Sequence, residues 1–516
     1  MFSKEKLTHY LITLLASIAA VVTHGYQFAV SDQEIFIPYV LKWEDPSLFA
    51  NDQLFNQPSA GASLFYPIFG LLARYFNLEA IFFLGYLIFQ LFFFLAIYRL
   101  AFVILKDRKL AYLALLPFFL PKFIGGTAIS TFDDFFGYRS IGVIFLLFYI
   151  SYLLEKKFKQ AITSASIGLL FHPLSIIPNI LILPILYVRE KFNFPRRIQI
   201  ATVISLAILA VFLTLVIPRD NLWLSIIKYR DPYLFLSTWG TNGWLAMFLY
   251  VALIFTFIRR IESKLRFGLL LIIIISLVVF IGNFIILELF KIPDIVKFQL
   301  LRSITLIAYI SLVMCPLFIA KKDPLPALIG LLAFIFLSLN RFQLFLPFFI
   351  LYILFDNFHH SSQIIPKLKT TTIIILILII AAANFLMEAS FGRKSSQKIQ
   401  YPKQTNDWID LQKWVQNNTP KNSTFLVPPT QTGFRLYSQR PIVGDIKDGA
   451  VVIYSPQYAK KWFQIMEDIK NYEDLTKTDF LHLKDLYQFN YVATGSSHYL
   501  DFEIIYKNDK FTLYKI

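Results

Sequence analysis

Residues 8–34 read THYLITLLASIAAVVTHGYQFAVSDQE, an apolar run that ends on Ser31, Asp32, Gln33 and Glu34. A helix needs roughly 20 apolar residues to cross the hydrocarbon of a bilayer, so the run from 8 to 29 predicts a first membrane span. Two carboxylates one residue apart at the lip of that span are costly unless a cation, a basic side chain or a substrate offsets them. Lys4 and Lys6 precede the run, as in a signal peptide. Thr23, His24, Gly25 and Tyr26 then occupy the place of a small-residue cleavage site, so the segment reads as an uncleaved anchor.

The pattern recurs along the chain. Of its 516 residues, 57% are hydrophobic and 17% aromatic, with 55 Phe, a composition outside the range of soluble domains. Apolar runs near 80–105, 197–217, 267–289, 301–319 and 370–388 are long enough to cross, and shorter ones lie near 110–123, 140–154, 243–258, 324–339 and 342–356. The stretch 161–188 is interrupted by His172, Pro173 and Pro178, which predicts two short helices meeting at Pro173. The expected fold is a polytopic α-helical membrane protein of about 13 transmembrane helices.

The formal net charge is +16. Lys and Arg gather in the loops that this count places on the side of Lys4 and Lys6, which predicts a cytoplasmic N-terminus and an extracytoplasmic C-terminus. Orientation thus accounts for the basic excess, and no nucleic-acid partner is expected. The one cysteine, Cys315, falls inside a span, so an intrachain disulfide is excluded.

Residues 1–389 then form a transmembrane domain with an acidic first outer loop, 31–62, and an interfacial helix, 64–76, lying on the outer leaflet. Residues 390–516 have soluble composition and read as an extracytoplasmic α/β or α+β domain. Helices are predicted at 407–417, 456–471 and 478–487, strands at 424–427 and 491–494, and a closing hairpin through 504–514. A second acidic outer loop, 125–138, carries Asp133 and Asp134 just before Arg139.

Carboxylates at an outer membrane surface suit general-base chemistry, deprotonating an acceptor as it attacks an activated sugar or phosphate. Asp32 and Glu34 are the candidate catalytic pair. Asp133 and Asp134, with Glu34, are candidate ligands for a divalent cation such as Mg or Mn. No Gly-rich phosphate loop, metalloprotease signature or nucleophile elbow occurs.

An acidic pair directly after span one, an interfacial helix, many spans and a terminal outer domain together resemble the type C (GT-C) membrane glycosyltransferases. The resemblance covers the layout of the whole chain, while its sequence motif is confined to Asp32–Glu34. It implies transfer of a sugar from a polyprenyl-phosphate-linked donor to an outer-face glycan, lipid or protein, in a bacterial inner (plasma) membrane. By that likeness Asp32 is the base and Glu34 or Asp133 a metal or acceptor contact. The spacing Asp-x-Glu leaves the base open between Asp32 and Glu34. A lipid-phosphate donor needs cations at this depth, for which Arg302, Arg341, Arg230, Arg139 and His172 are candidates. Arg435 and Arg440, after the Pro428-Pro429 turn, are candidates for acceptor binding. A flippase for lipid-linked sugars and an envelope-glycan polymerase or ligase are the competing readings.

Overall fold

The computed structural model describes residues 4–57, 62–192, 220–359, 369–390 and 399–516. Among them six helices are long and apolar enough to cross a membrane: Lys6–His24, Leu78–Leu105, Thr241–Arg260, Ser263–Leu289, Pro293–Ile319 and Thr370–Met387. Pro173–Asn179 and Ile182–Lys191 form a pair bent by 44°, a seventh crossing if the two are one span. That bend lies between Asn179 and Ile182, and a separate interruption between helices Phe158–Phe171 and Pro173–Ile176 falls at Pro173, as its missing N–H and ring require. Tyr138–Leu154, Pro324–Ser338 and Phe342–Asp356 are apolar but shorter. The run at 197–217 lies outside the described residues. The run at 110–123 is a six-residue helix, Arg108–Leu113, and a 3-10 turn, Leu116–Phe118. Pro117 and Pro121 interrupt it, so its apolar composition does not make a spanning helix.

The first helix, α1 (Lys4–His24), leads into the segment expected as an acidic loop, which instead folds into helix α2 (Gln33–Glu44). Ile35, Phe36, Ile37, Tyr39, Val40 and Leu41 are buried on it. The helix expected at 64–76 is α3 (Phe65–Ala73). A Cβ on its Gly70 would sit 2.5 Å from Trp43 Cβ and 2.9 Å from the Val40 carbonyl oxygen, so this close crossing of α2 and α3 requires glycine. Helix α4 (Leu78–Leu105) follows, capped by Asn77, whose side chain accepts from the Ala80 N–H at 3.0 Å.

The C-terminal domain, called the outer domain after the side on which it is expected, carries a four-stranded sheet in the order β1 (Phe425–Leu426), β2 (Tyr491–Gly495), β4 (Phe511–Lys515), β3 (Glu503–Lys507). Strands β1 and β2 are parallel and the other pairs antiparallel. Helices Asp407–Asn418, Pro456–Asp468 and Lys477–Tyr487 complete it. Val451, Val452 and Trp462 of this domain belong to the same buried apolar cluster as the membrane helices. Polar contacts reinforce the junction. Trp223 Nε1 donates to the Val452 carbonyl at 2.8 Å, and Arg230 Nε to the Ile446 carbonyl at 3.1 Å.

Candidate functional site

Four segments far apart in sequence bring charged side chains to one place under the outer domain. Asp32 arrives first, at the N-terminus of α2, on a backbone in which Ala29 (φ 55°) and Ser31 (φ 52°) both take left-handed conformations. Such conformations are uncommon for residues with a Cβ and mark a chain forced into a particular aim. Gln33 supplies the force. It is fully buried and its Nε2 donates to the Phe136 carbonyl at 2.9 Å, pinning α2 to the second acidic loop.

That loop positions Asp133, and the first turn of helix Tyr138–Leu154 positions Arg139. Arg139 Nε donates to Asp133 Oδ2 at 2.9 Å and Nη2 donates to the other oxygen. Burial pushes the Asp133 carboxyl upward while Arg139 opposes the shift. His172 comes from the helix break before Pro173, its Nδ1 2.7 Å from Ser175 Oγ and its ring 4.9 Å from that of Tyr138. Its approach depends on Gly142, where a Cβ would lie 2.6 Å from His172 Cβ. Arg302 comes from the turn Leu300–Ser303, which follows the left-handed Gln299 (φ 44°).

Asp32, Asp133, Arg139, His172 and Arg302 all line one cavity of about 120 Å³. Its roof is Ala450, Val451 and Tyr454 of the outer domain. Buried polar atoms without a partner mark its wall: Gln299 Oε1 and Arg302 Nε, with Thr305 Oγ1 in a small adjoining pocket that shares Arg139, His172 and Arg302. Unpaired polar atoms at such depth are rare in folded proteins and call for a polar occupant. Four tyrosines, Tyr66, Tyr138, Tyr233 and Tyr454, add phenols to the wall. Burial raises the pKa values of Tyr66, Tyr233 and Tyr454, so these phenols stay protonated and able to donate. The sequence reading missed all four. The available signal was tyrosine in place of the prevailing phenylalanine near span ends, Tyr138 standing next to Arg139.

An apolar groove of about 740 Å³ runs between α3, α4 and the helix Tyr138–Leu154. Phe136 lines this groove while its neighbours Phe135 and Gly137 line the polar cavity, so the two spaces stand back to back across one stretch of chain.

The other candidates do not join them. Glu34, expected beside Asp32, turns the opposite way, with its Cγ near Gly433 of the outer domain. Burial raises its carboxyl, partly offset by a hydrogen bond from Thr432 and by Lys447. Asp134 accepts from Gln27 Nε2 at 2.9 Å, and burial and the neighbouring Asp133 push it up to about 6. Asp133 is meanwhile taken by Arg139, so the three carboxylates expected to hold a divalent cation stand apart. Among the described residues no three His, Cys, Asp or Glu side chains converge on a metal position.

Arg230 is turned to the Ile446 carbonyl and to Asp231, and Arg341 lies in the turn between Pro324–Ser338 and Phe342–His359; neither lines the cavity. Arg435 and Arg440, expected to meet an acceptor, are buried in structural roles. Arg435 is clasped by Asp52, through Nε at 2.7 Å and Nη2 at 3.0 Å, and by Asp448, through Nη1 at 2.7 Å and Nη2 at 2.9 Å. Arg440 donates to the carbonyls of Gln416 and Thr419 at the end of helix Asp407–Asn418. Both guanidiniums have their donors occupied by the protein itself.

A family model described as "Domain of unknown function (DUF6798)" matches residues 406–469, the part of the outer domain that carries Arg435, Asp448 and the cavity roof. No curated protein matches the chain.

Proposed function

We propose that the chain is a membrane glycosyltransferase that moves a sugar from a polyprenyl-phosphate-linked donor to an acceptor on the outer face. One observation carries this reading: Asp32, whose side chain is 52% exposed and free of any guanidinium clasp, opens on the same roofed cavity as Arg302, a guanidinium with no carboxylate in ion-pair contact among the described residues. A base and an anion-binding cation set around one space suit displacement at a sugar carbon bearing a phosphate.

In this reaction Asp32 takes the proton of the acceptor hydroxyl as its oxygen bonds to the anomeric carbon. The bond from that carbon to the phosphate oxygen breaks, and its electron pair leaves with the lipid phosphate. Arg302 meets the developing charge with planar, bidentate donors, and the tyrosine phenols donate beside it. In this reading charge on the phosphate falls to these groups. The Asp133–Arg139 pair is internally neutral and acts as a fixed wall. The groove beside Phe136 offers an isoprenoid tail an apolar bed outside the polar space, and the membrane supplies its access.

Asp32→Asn keeps the shape and removes the base. In proteoliposomes loaded with polyprenyl-phosphate sugars, this variant should retain its gel-filtration profile and lose transfer by about 10²- to 10⁴-fold, the usual weight of a general base. Transfer at the native rate would refute the assignment, and movement of the lipid-linked sugar across the bilayer without product would replace it with a flippase.

A further inference from the structure

Two residues beyond Asp32, Glu34 faces a seam between α2 and the outer domain. Lys447 bounds it on the Asp32 side, 3.7 Å from that carboxylate. Lys403 lies within electrostatic reach of Glu34, and its backbone N–H donates to Glu79 at the start of α4. Beyond Glu79 come Tyr26, whose carbonyl accepts from the Gln400 N–H at 2.8 Å, and Tyr437.

Three side-chain oxygens along this seam are buried without a hydrogen-bond partner: Glu34 Oε2, Tyr26 Oη and Tyr437 Oη. Tyr26 is 0% exposed. Each such orphan costs roughly 1–3 kcal/mol, and three in one seam point to an occupant that supplies hydrogen bonds. The charges of Asp32, Glu34 and Glu79 are matched by those of Lys447, Lys403 and Lys413, so that occupant is neutral. Phenols donate and accept, a carboxylate accepts and an ammonium donates, a mixture that hydroxyl groups satisfy on both counts. At the outer edge Tyr401, 42% exposed, is stacked on Phe83 with ring centroids 4.7 Å apart, a flat platform for the C–H face of a pyranose ring.

We propose that this seam is the acceptor subsite and that it takes a neutral saccharide end, presenting one hydroxyl to Asp32. The assignment rests on the sugar-transfer reading of the cavity. It gives Glu34 a binding role on the far side of Asp32, and it moves acceptor recognition from Arg435 and Arg440 to Glu34, Lys403, Tyr26 and Tyr437.

The test uses the full-length protein in lipid nanodiscs and saturation-transfer NMR with methyl glucoside, methyl mannoside, methyl N-acetylglucosaminide and methyl glucuronide. At least one neutral glycoside should give a signal. Tyr437→Phe, which removes one oxygen and keeps the ring, and Glu34→Gln should each weaken that affinity about fivefold, the effect of one lost hydrogen bond of about 1 kcal/mol. Absence of any signal, equal affinity in both variants, or a preference for the glucuronide overturns the proposal. Lys421→Met, at an exposed pair with Asp45, should bind the glycoside as the native protein does. Persistent transfer in Asp32→Asn would sink the reaction, whereas saccharide binding unaffected by seam variants would sink the subsite.

Discussion

Arg139 is held by Asp133 on both carboxylate oxygens, and that clasp makes Arg302 the guanidinium that faces the cavity without a carboxylate partner among the described residues. The two arginines therefore have different work. Arg139 is charge-neutralised scaffolding, while Arg302 has no ion pair among the described residues and its Nε is unpartnered.

Substitutions at Arg302 should consequently act on the donor. Arg302→Lys retains a charge but loses the planar fork, and the KM for a polyprenyl-phosphate sugar should rise about tenfold, with Arg302→Gln worse. An unchanged donor KM in both variants would remove Arg302 from phosphate binding.

The clasp between domains makes a stability prediction. Arg435 is 3% exposed and lies between Asp52 at 1% and Asp448 at 2%. Arg435→Met would leave two buried carboxylates facing each other without a counter-charge, a loss of about 3–5 kcal/mol. Thermal unfolding in detergent should fall sharply, and Lys421→Met, which removes an exposed pair with Asp45, should change it little.

Asp231 supplies a pH dependence. It is 3% exposed, and burial pushes its carboxyl up to about 6, with Arg230 opposing. A folded-state value above that of the unfolded chain means that its contribution to stability is complete below about pH 4 and is lost as pH rises through about 6. Above that range the buried charge is a burden of at most ~3 kcal/mol. Asp231→Asn should raise the melting temperature at pH 7.5, and the gain should close as the pH is lowered to 4. A gain equal at both pH values would show that ionisation is not its source.

Two glycines form a matched pair for mutagenesis. Gly142→Ala would push its new methyl against His172 Cβ, whereas Gly282 has nothing within 4 Å of the equivalent position. The first substitution should cut transfer activity severalfold by displacing His172 and Arg139, and Gly282→Ala should leave it unchanged. Equal activity in the two would mean that the His172 position carries no weight in the reaction.

Local patterns were legible in the sequence and long-range convergence was not. Span one, the break at Pro173 and the hairpin of β3 and β4 follow from periodicity and punctuation within a few residues. The helix α2 was hidden because residues 31–62 carry the acids and prolines of a loop. Had it been evident, the divergence of Asp32 and Glu34 would have been evident too, since residues two apart on a helix do not share a face. Arg435 looked like an open surface cation because its partner Asp52 is 383 positions upstream. Nothing local couples Asp32 to Arg302, whose meeting depends on how Gln33 and the turn after Gln299 settle into the bundle. The short run at 110–123 misled through composition alone, its prolines outweighing its hydropathy.

The roof formed by Val451 and Tyr454 sets an order of events in biogenesis. Chains are made from the N-terminus and domains fold as they emerge, so every membrane-embedded wall exists before its ceiling is translated. During that interval Asp32 and Arg302 share an unroofed basin open to water. On the proposed reading, competence waits for residues 450–454, and a copy that lacks them leaves its reacting groups open to water.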